Sequence, residues 1–194
     1  MSTATTEAPA VANAHSAPGP QNATAPSWQG PCAPGLAWSE ALTVSLQHMD
    51  DTHEAFVALL AAVQTAPDTE LLARWRALVA HTQDHFDRED AWMVATGFAP
   101  GSCHMTQHKV VLQVLKEGLL SGDMGVLTPI RQMAHELTIW FPQHAQTMDA
   151  GLALHLKSVD FDTATGRVRA PDALPAEPIS GCGGTCSTSA EQAN

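Results

Sequence analysis

The chain has 194 residues and no tyrosine, so it cannot form a tyrosyl radical, and a radical-generating oxidase is disfavoured before any motif is read. Basic side chains are scarce: 9 Lys and Arg stand against 20 Asp and Glu, a formal charge of -11. Nucleic acid is a poor partner for such a chain, because neutralising phosphates needs basic patches. An anionic membrane surface is equally poor. Long apolar runs are missing too; the longest, Ala55 to Val63, is far too short to span a bilayer. No Lys or Arg precedes Arg74, so a secretory signal with a basic leading region is not expected, and a cytoplasmic location is. Histidine, in contrast, is abundant, with ten copies. It is the commonest metal ligand and acid-base group, so its placement decides the functional reading.

Composition divides the chain in three. Residues 1–35 hold six of the thirteen prolines and almost no large aliphatic side chains. Such a segment cannot bury enough apolar surface to offset its ordering entropy and is expected to be disordered. Residues 158–194, with Pro171, Pro175, Pro178 and a Gly/Ser/Thr-rich end, are expected to form a flexible C-terminal tail. Between them, residues 36–157 carry nine of the ten histidines. The apolar period there is helical throughout. Leu42, Leu46, Met49, Phe56, Leu60 and Val63 step by three and four, with His53 filling the gap. A second stripe runs Leu71, Trp75, Leu78, Thr82, His85, Glu89, Met93, with Pro67 and Asp68 at its start and Gly97 to stop it. A third carries His104, His108, Val111, Leu115 and Leu119 and is expected to close at Gly122. Thr128 and Pro129 read as cap and first turn of a fourth, whose stripe is Ile130, Met133, Leu137, Phe141, His144, Met148 and Leu152. Four helices with short connections predict an all-α, up-down-up-down antiparallel four-helix bundle.

Ionisable residues sit on core positions of all four helices. A buried imidazole or carboxylate without a partner costs several kcal/mol or shifts its pKa until it is neutral. These intruders come in spaced sets. His85 and Glu89 are four apart and share a helix face, as do His104 and His108. His144 and Asp149 are five apart, about 7.5 Å along the axis, a reach that suits a carboxylate bridging to a second ion. His53 adds one imidazole from the first helix. Five imidazoles and two carboxylates exceed what a closed, four-donor structural zinc site uses. Two ions sharing two carboxylates and a solvent oxygen fit, with three histidines on one ion and two on the other. That division leaves one position open. Imidazole with carboxylate and no thiolate suits iron or manganese, while zinc and copper also accept imidazole.

These residues resemble a known family, the hemerythrins, and within it the bacterial hemerythrin-like (bacteriohemerythrin) domains. Trp38 with Met49-Asp50-Asp51-Thr52-His53 is similar to the first-helix motif. His81-Thr82-Gln83-Asp84-His85-Phe86-Asp87-Arg88-Glu89-Asp90 with Met93 is similar to the second, and His104-x3-His108 and Trp140-x3-His144-x4-Asp149 complete the set. The resemblance covers residues 36–157. It implies two iron ions with an oxo or hydroxo bridge: His104, His108 and His144 on one, His53 and His85 on the one with a vacant site, Glu89 and Asp149 across both. It implies reversible binding of O2 or another small diatomic ligand, for carriage, storage or sensing. The alternatives are a di-iron enzyme, such as a nitric oxide or peroxide reductase, and an iron or redox sensor acting through its tails. Glu-x-x-His, which ferritin-like di-iron proteins use twice, is absent from the chain.

Around this set, Phe56 and Phe86 flank ligands and are expected to exclude water from the pocket. Thr147 has two readings: a hydroxyl facing the ligand pocket, or one bonded back to the Gln143 carbonyl. Pro142 removes a helix hydrogen bond to Thr138 two residues before His144 and is expected to kink the fourth helix. His81, one turn before His85, reads as a packed histidine rather than a proton-handling one. Cys32, Cys103, Cys182 and Cys186 are expected to stay reduced in a cytosol. The pair Cys182-x3-Cys186, on a Gly-rich stretch, is a weak signal for metal binding or disulfide exchange.

Overall fold

The computed structural model describes residues 35–98 and 103–179. Four long helices dominate: α1 (Gln47–Thr65), α2 (Asp68–Thr96), α3 (Cys103–Asp123) and α4 (Thr128–His144). One wide turn (Ala145–Asp149) leads from α4 without a break into α5 (Ala150–Ser158). Each long helix packs on its neighbour in the chain, and α4 closes the ring on α1. With such short connections this is the up-and-down bundle that the spacing predicts. Among the described residues no helix is long and apolar enough to cross a membrane.

Helix ends follow local chemistry. Asp68 and Glu70 occupy the first turn of α2, where the helix dipole favours negative charge. Gly97 ends it in the left-handed conformation at φ 65°, while the Phe98 amide donates to the Met93 carbonyl at 2.9 Å. Thr128 is the first residue of α4 rather than its cap, with Pro129 in the first turn, where its missing N–H costs nothing. Gly122 does not stop α3, which runs on to Asp123; the left-handed residue is Gly125, at φ 78°. Gly122 instead lies in the helix packing, where a Cβ would meet Leu72 at 2.5 Å and Ile130 at 2.9 Å.

The core forms two apolar clusters. One gathers Phe56, Leu60, Trp75, Leu78, Leu115, Ile130, Leu137 and Phe141. The other gathers Met49, Trp92, Met93, Leu152, Leu156 and Phe161. Along α1, α2 and the α4–α5 continuation, the ionisable residues sit between the members of these two clusters. The site is thus a polar layer between two apolar ones.

Past the bundle, the chain departs from the flexible tail expected there. Strands β1 (Phe161–Asp162) and β2 (Arg167–Val168) pair antiparallel, and Ile179 bridges in parallel to Phe98. Val159 and Phe161 are buried in the second cluster, which gives this segment the apolar anchors its composition obscured. Cys103 is disulfide-bonded, so the free thiol expected there is corrected. That expectation rested on a reducing compartment, not on any geometry. Cys32, Cys182 and Cys186, residues 1–34 of the disordered stretch expected over residues 1–35, and residues 180–194 of the expected tail lie outside the described residues.

Candidate metal centre

All seven ionisable residues of the stripes are buried, His53, Glu89 and Asp149 completely. Their donor atoms meet in two overlapping groups, Glu89, His104, His108, His144 and Asp149 in one, His53, His85, Glu89 and Asp149 in the other. The two carboxylates belong to both. Each divides its oxygens between the groups. Glu89 Oε1 faces His85 Nε2 at 3.7 Å, while its Oε2 lies 3.4 Å from His108 Nε2 and 3.6 Å from His104 Nε2. Asp149 Oδ2 is 3.2 Å from His53 Nε2, and its Oδ1 is 3.0 Å from His104 Nε2 and 3.2 Å from His144 Nε2.

Backbone geometry explains how His144 and Asp149 reach the same place. In a regular α-helix residues five apart point about 140° away from each other. Here the helix widens for one turn, and the Ala150 amide bonds back five residues to the Ala145 carbonyl. Widened turns of this kind concentrate at functional sites. Pro142 lies within α4 just ahead of this irregularity, and it does not displace His144, which is buried within reach of Asp149.

The electrostatics of the cluster are strained. Burial, then the charge of Asp149, pushes the Glu89 carboxyl well above the usual carboxylate range. Burial alone would also raise Asp149, but His144 and the close approach of the His104 and His53 ring nitrogens hold it well below that range. Burial lowers His85 strongly and lowers His108 to about 4, against the opposing pull of Asp90. Imidazoles held neutral are the form that binds metal. Among the described residues, both oxygens of Glu89 and Asp149, both nitrogens of His53 and His104, and His85 Nε2 are buried without a hydrogen-bond partner. Orphaned buried polar atoms are costly and rare, and here the carboxylate oxygens and the Nε2 atoms of His53, His85 and His104 meet in one layer. Nitrogen and carboxylate donors with no sulfur fit a pair of first-row transition ions.

Aromatic rings wall the layer. Phe86 stacks on His108 with ring centroids 3.9 Å apart and also lies against His85. Phe141 meets His53 edge-on at 5.2 Å, and Phe56 stacks on Phe141 at 4.5 Å, one ring behind it. Phe141 was visible in the sequence as a core residue but not as the ring against His53. Thr147 is exposed and its hydroxyl donates to the Gln143 carbonyl at 2.7 Å, the second of its two readings. His81 donates to the Thr52 carbonyl at 3.0 Å and so ties α2 to α1 beside His53.

Two polar contacts behind the histidines were not anticipated. Asp90 lies 2.7 Å from His108 Nδ1, and Gln107 Oε1 lies 3.4 Å from His144 Nδ1. Asp90 follows Glu89 in sequence and looks like an ordinary surface acid; only its contact with α3 distinguishes it.

Comparison with known proteins agrees with this geometry. Residues 44–156 match the hemerythrin HHE cation binding domain. A protein of Ralstonia nicotianae (strain ATCC BAA-1114 / GMI1000) named Bacteriohemerythrin is 38% identical over 116 residues, covering 60% of this chain and 85% of its own. No solved structure shows a significant match. A four-helix bundle with seven converging donors, matched over most of its length by that domain, therefore belongs to the hemerythrin HHE cation binding domain family.

Proposed function

We propose that this chain binds O2 reversibly at two iron ions held in the buried layer. His104, His108 and His144 would hold one ion, His53 and His85 the other, and Glu89 and Asp149 would serve both, together with a solvent-derived oxo or hydroxo group. The observation that carries the reading is the division of each carboxylate, one oxygen toward the two-histidine group and one toward the three-histidine group. A single ion would not call for both carboxylates to straddle two donor sets. The two-histidine group has one protein donor fewer, so its ion keeps a position for a small ligand. The relative named Bacteriohemerythrin supports iron as the metal.

Two ferrous ions held there would supply the two electrons that O2 takes up on binding. The protein's part is to hold and shield them. Nitrogen donors come from four helix segments, so the ions are gripped by the bundle itself rather than by a loop. Phe141, Phe56 and Phe86 present apolar rings around the histidines, which keep bulk water away from the ligand position. No tyrosine stands nearby to be oxidised, since the chain has none.

The test is optical and analytical together. Protein reduced without air and then exposed to it is expected to carry about two irons per chain and to gain a visible absorption that disappears when O2 is removed. Fewer than two irons, or no oxygen-dependent absorption, overturns the proposal. Sustained consumption of nitric oxide or peroxide by the loaded protein would move it to the enzyme class instead.

A further inference from the structure

The histidines of the centre differ in what stands behind them. Among the described residues, His53 and His104 have no hydrogen-bond partner on Nδ1. His144 Nδ1 has the neutral Gln107 amide oxygen at 3.4 Å, which also accepts from Trp140 Nε1 at 3.3 Å. His108 Nδ1 has a carboxylate, Asp90 Oδ1, at 2.7 Å. A carboxylate can only accept, so the nitrogen donates. That assigns the His108 proton to Nδ1 and leaves the Nε2 lone pair facing Glu89 Oε2 and His144 Nε2, inside the layer. Phe86 lies almost parallel on the same ring, at an interplanar angle of 8°, and prevents it from turning.

We infer that Asp90 is a positioning residue that acts through His108 and makes the two metal positions unequal. This rests on the di-iron reading above. A charge-assisted hydrogen bond to Nδ1–H fixes the tautomer and makes Nε2 a stronger donor. A stronger donor favours the higher oxidation state of the ion it holds. The three-histidine ion therefore binds more tightly and resists reduction more than the two-histidine ion, where the small ligand is placed. Asp90 is not sealed in: its side chain is 23% exposed and lines a cleft of about 510 Å³ between α2 and α3, together with Lys109 and Lys116. Its partner in strength is thus a group at the surface that touches no metal.

The experiment titrates metal-free protein with ferrous ion, without air, against a competing chelator, and follows with the reduction potential of the loaded protein. Wild type is expected to show two sites. Asp90→Asn is expected to weaken one of them 10- to 100-fold, and to raise the reduction potential. Asp90→Glu restores the charge and is expected to recover part of both. Asp87→Asn, in the same cleft but without contact to a histidine, is expected to leave both unchanged. Two sites of unaltered affinity and an unaltered potential in Asp90→Asn overturn the inference. A wild type that binds fewer than two ions overturns the di-iron reading instead, so the two failures are distinct. Nitrogen-15 NMR of the zinc-loaded wild type adds a measurement free of any folding defect. It is expected to show His108 protonated at Nδ1, and a proton at Nε2 would overturn the assignment.

Discussion

His144 Nε2 and Asp149 Oδ1 stand 3.2 Å apart although five residues separate them, because the helix that carries both widens for one turn between them. The same carboxylate reaches His53 on α1 with its other oxygen, at 3.2 Å. Asp149 is therefore a member of both donor groups, and its loss takes one oxygen from each.

Asp149→Ala is accordingly expected to abolish loading of the pair rather than to weaken one ion. Metal analysis of the variant should find less than one ion per chain. The histidines left without their shared counter-charge should also lower the stability of the metal-free protein. A variant that retains two ions would mean that Asp149 does not bridge. His81→Ala, one turn from His85 but bonded to a carbonyl, is expected to keep both ions.

Metal uptake should depend on pH through Glu89. In the metal-free protein burial and the charge of Asp149 raise Glu89 well above the usual carboxylate range, so up to a higher pH than an ordinary carboxyl it holds a proton that the metal must displace. Glu89 is then expected to make affinity rise with pH, contributing at most roughly tenfold per pH unit for its own proton, and that contribution is expected to level off above its raised pKa. His85 and His108 do not add to this slope near neutral pH, because both are shifted down and already neutral. Titrations with zinc across neutral pH, in buffers of different ionisation enthalpy, count the protons released. Glu89→Gln should bind more weakly and lose the slope; a slope that survives the substitution would assign the proton elsewhere.

Why the buried ionisable layer could be read from sequence, and its supports could not, has a physical basis. His53, His85, Glu89, His104, His108 and His144 fall on stripes whose other members, Thr82 apart, are apolar, so helical periodicity alone marks them as buried. Asp149 was reachable only through its odd spacing from His144, since no local signal announces a widened turn. Asp90 is adjacent to Glu89 and points about 100° away on the helix; its role depends on where α3 lies, which is tertiary information. The same holds for Phe141, whose contact with His53 crosses from α4 to α1. The hairpin after the bundle is hidden in the sequence because Pro171, Pro175 and Pro178 and the Gly/Ser/Thr-rich end lie just beyond it, while the side chains that anchor it, Val159 and Phe161, reveal themselves only by packing in the second cluster.

Phe141 gives a prediction that joins stability to function. Its ring is buried between His53 and Phe56. Truncation to Ala leaves a cavity that the bundle cannot fully close and should cost about 3–5 kcal/mol in denaturant unfolding of the metal-free protein. Phe141→Leu keeps most of the volume and is the variant for function. It should retain both ions but lose its oxygen-dependent absorption sooner on standing, because water reaches the centre more easily. Unchanged persistence of that absorption would show that Phe141 does not guard the centre.

Gly118 tests how closely α3 is pressed into the bundle. Glycine inside a helix normally costs about 1 kcal/mol relative to alanine, so Gly118→Ala on an exposed face would stabilise the protein. Here a Cβ would meet Trp75 Nε1 at 2.8 Å and Met133 Sδ at 2.9 Å. Met133 can swing aside, but Trp75 cannot easily do so. Its indole is wholly buried and its Nε1–H donates to the Leu115 carbonyl at 3.1 Å, on the same helix as Gly118. Moving the ring breaks that bond, and moving α3 shifts His108 and His104 further along it. Overpacking of this kind typically costs about 1–3 kcal/mol, which reverses the propensity gain. Gly118→Ala is therefore expected to lower the denaturation midpoint of the metal-free protein. Since α3 supplies two of the three histidines of one group, it should weaken the three-histidine ion more than the other. A higher midpoint in the variant would show that the helices separate without cost at this contact.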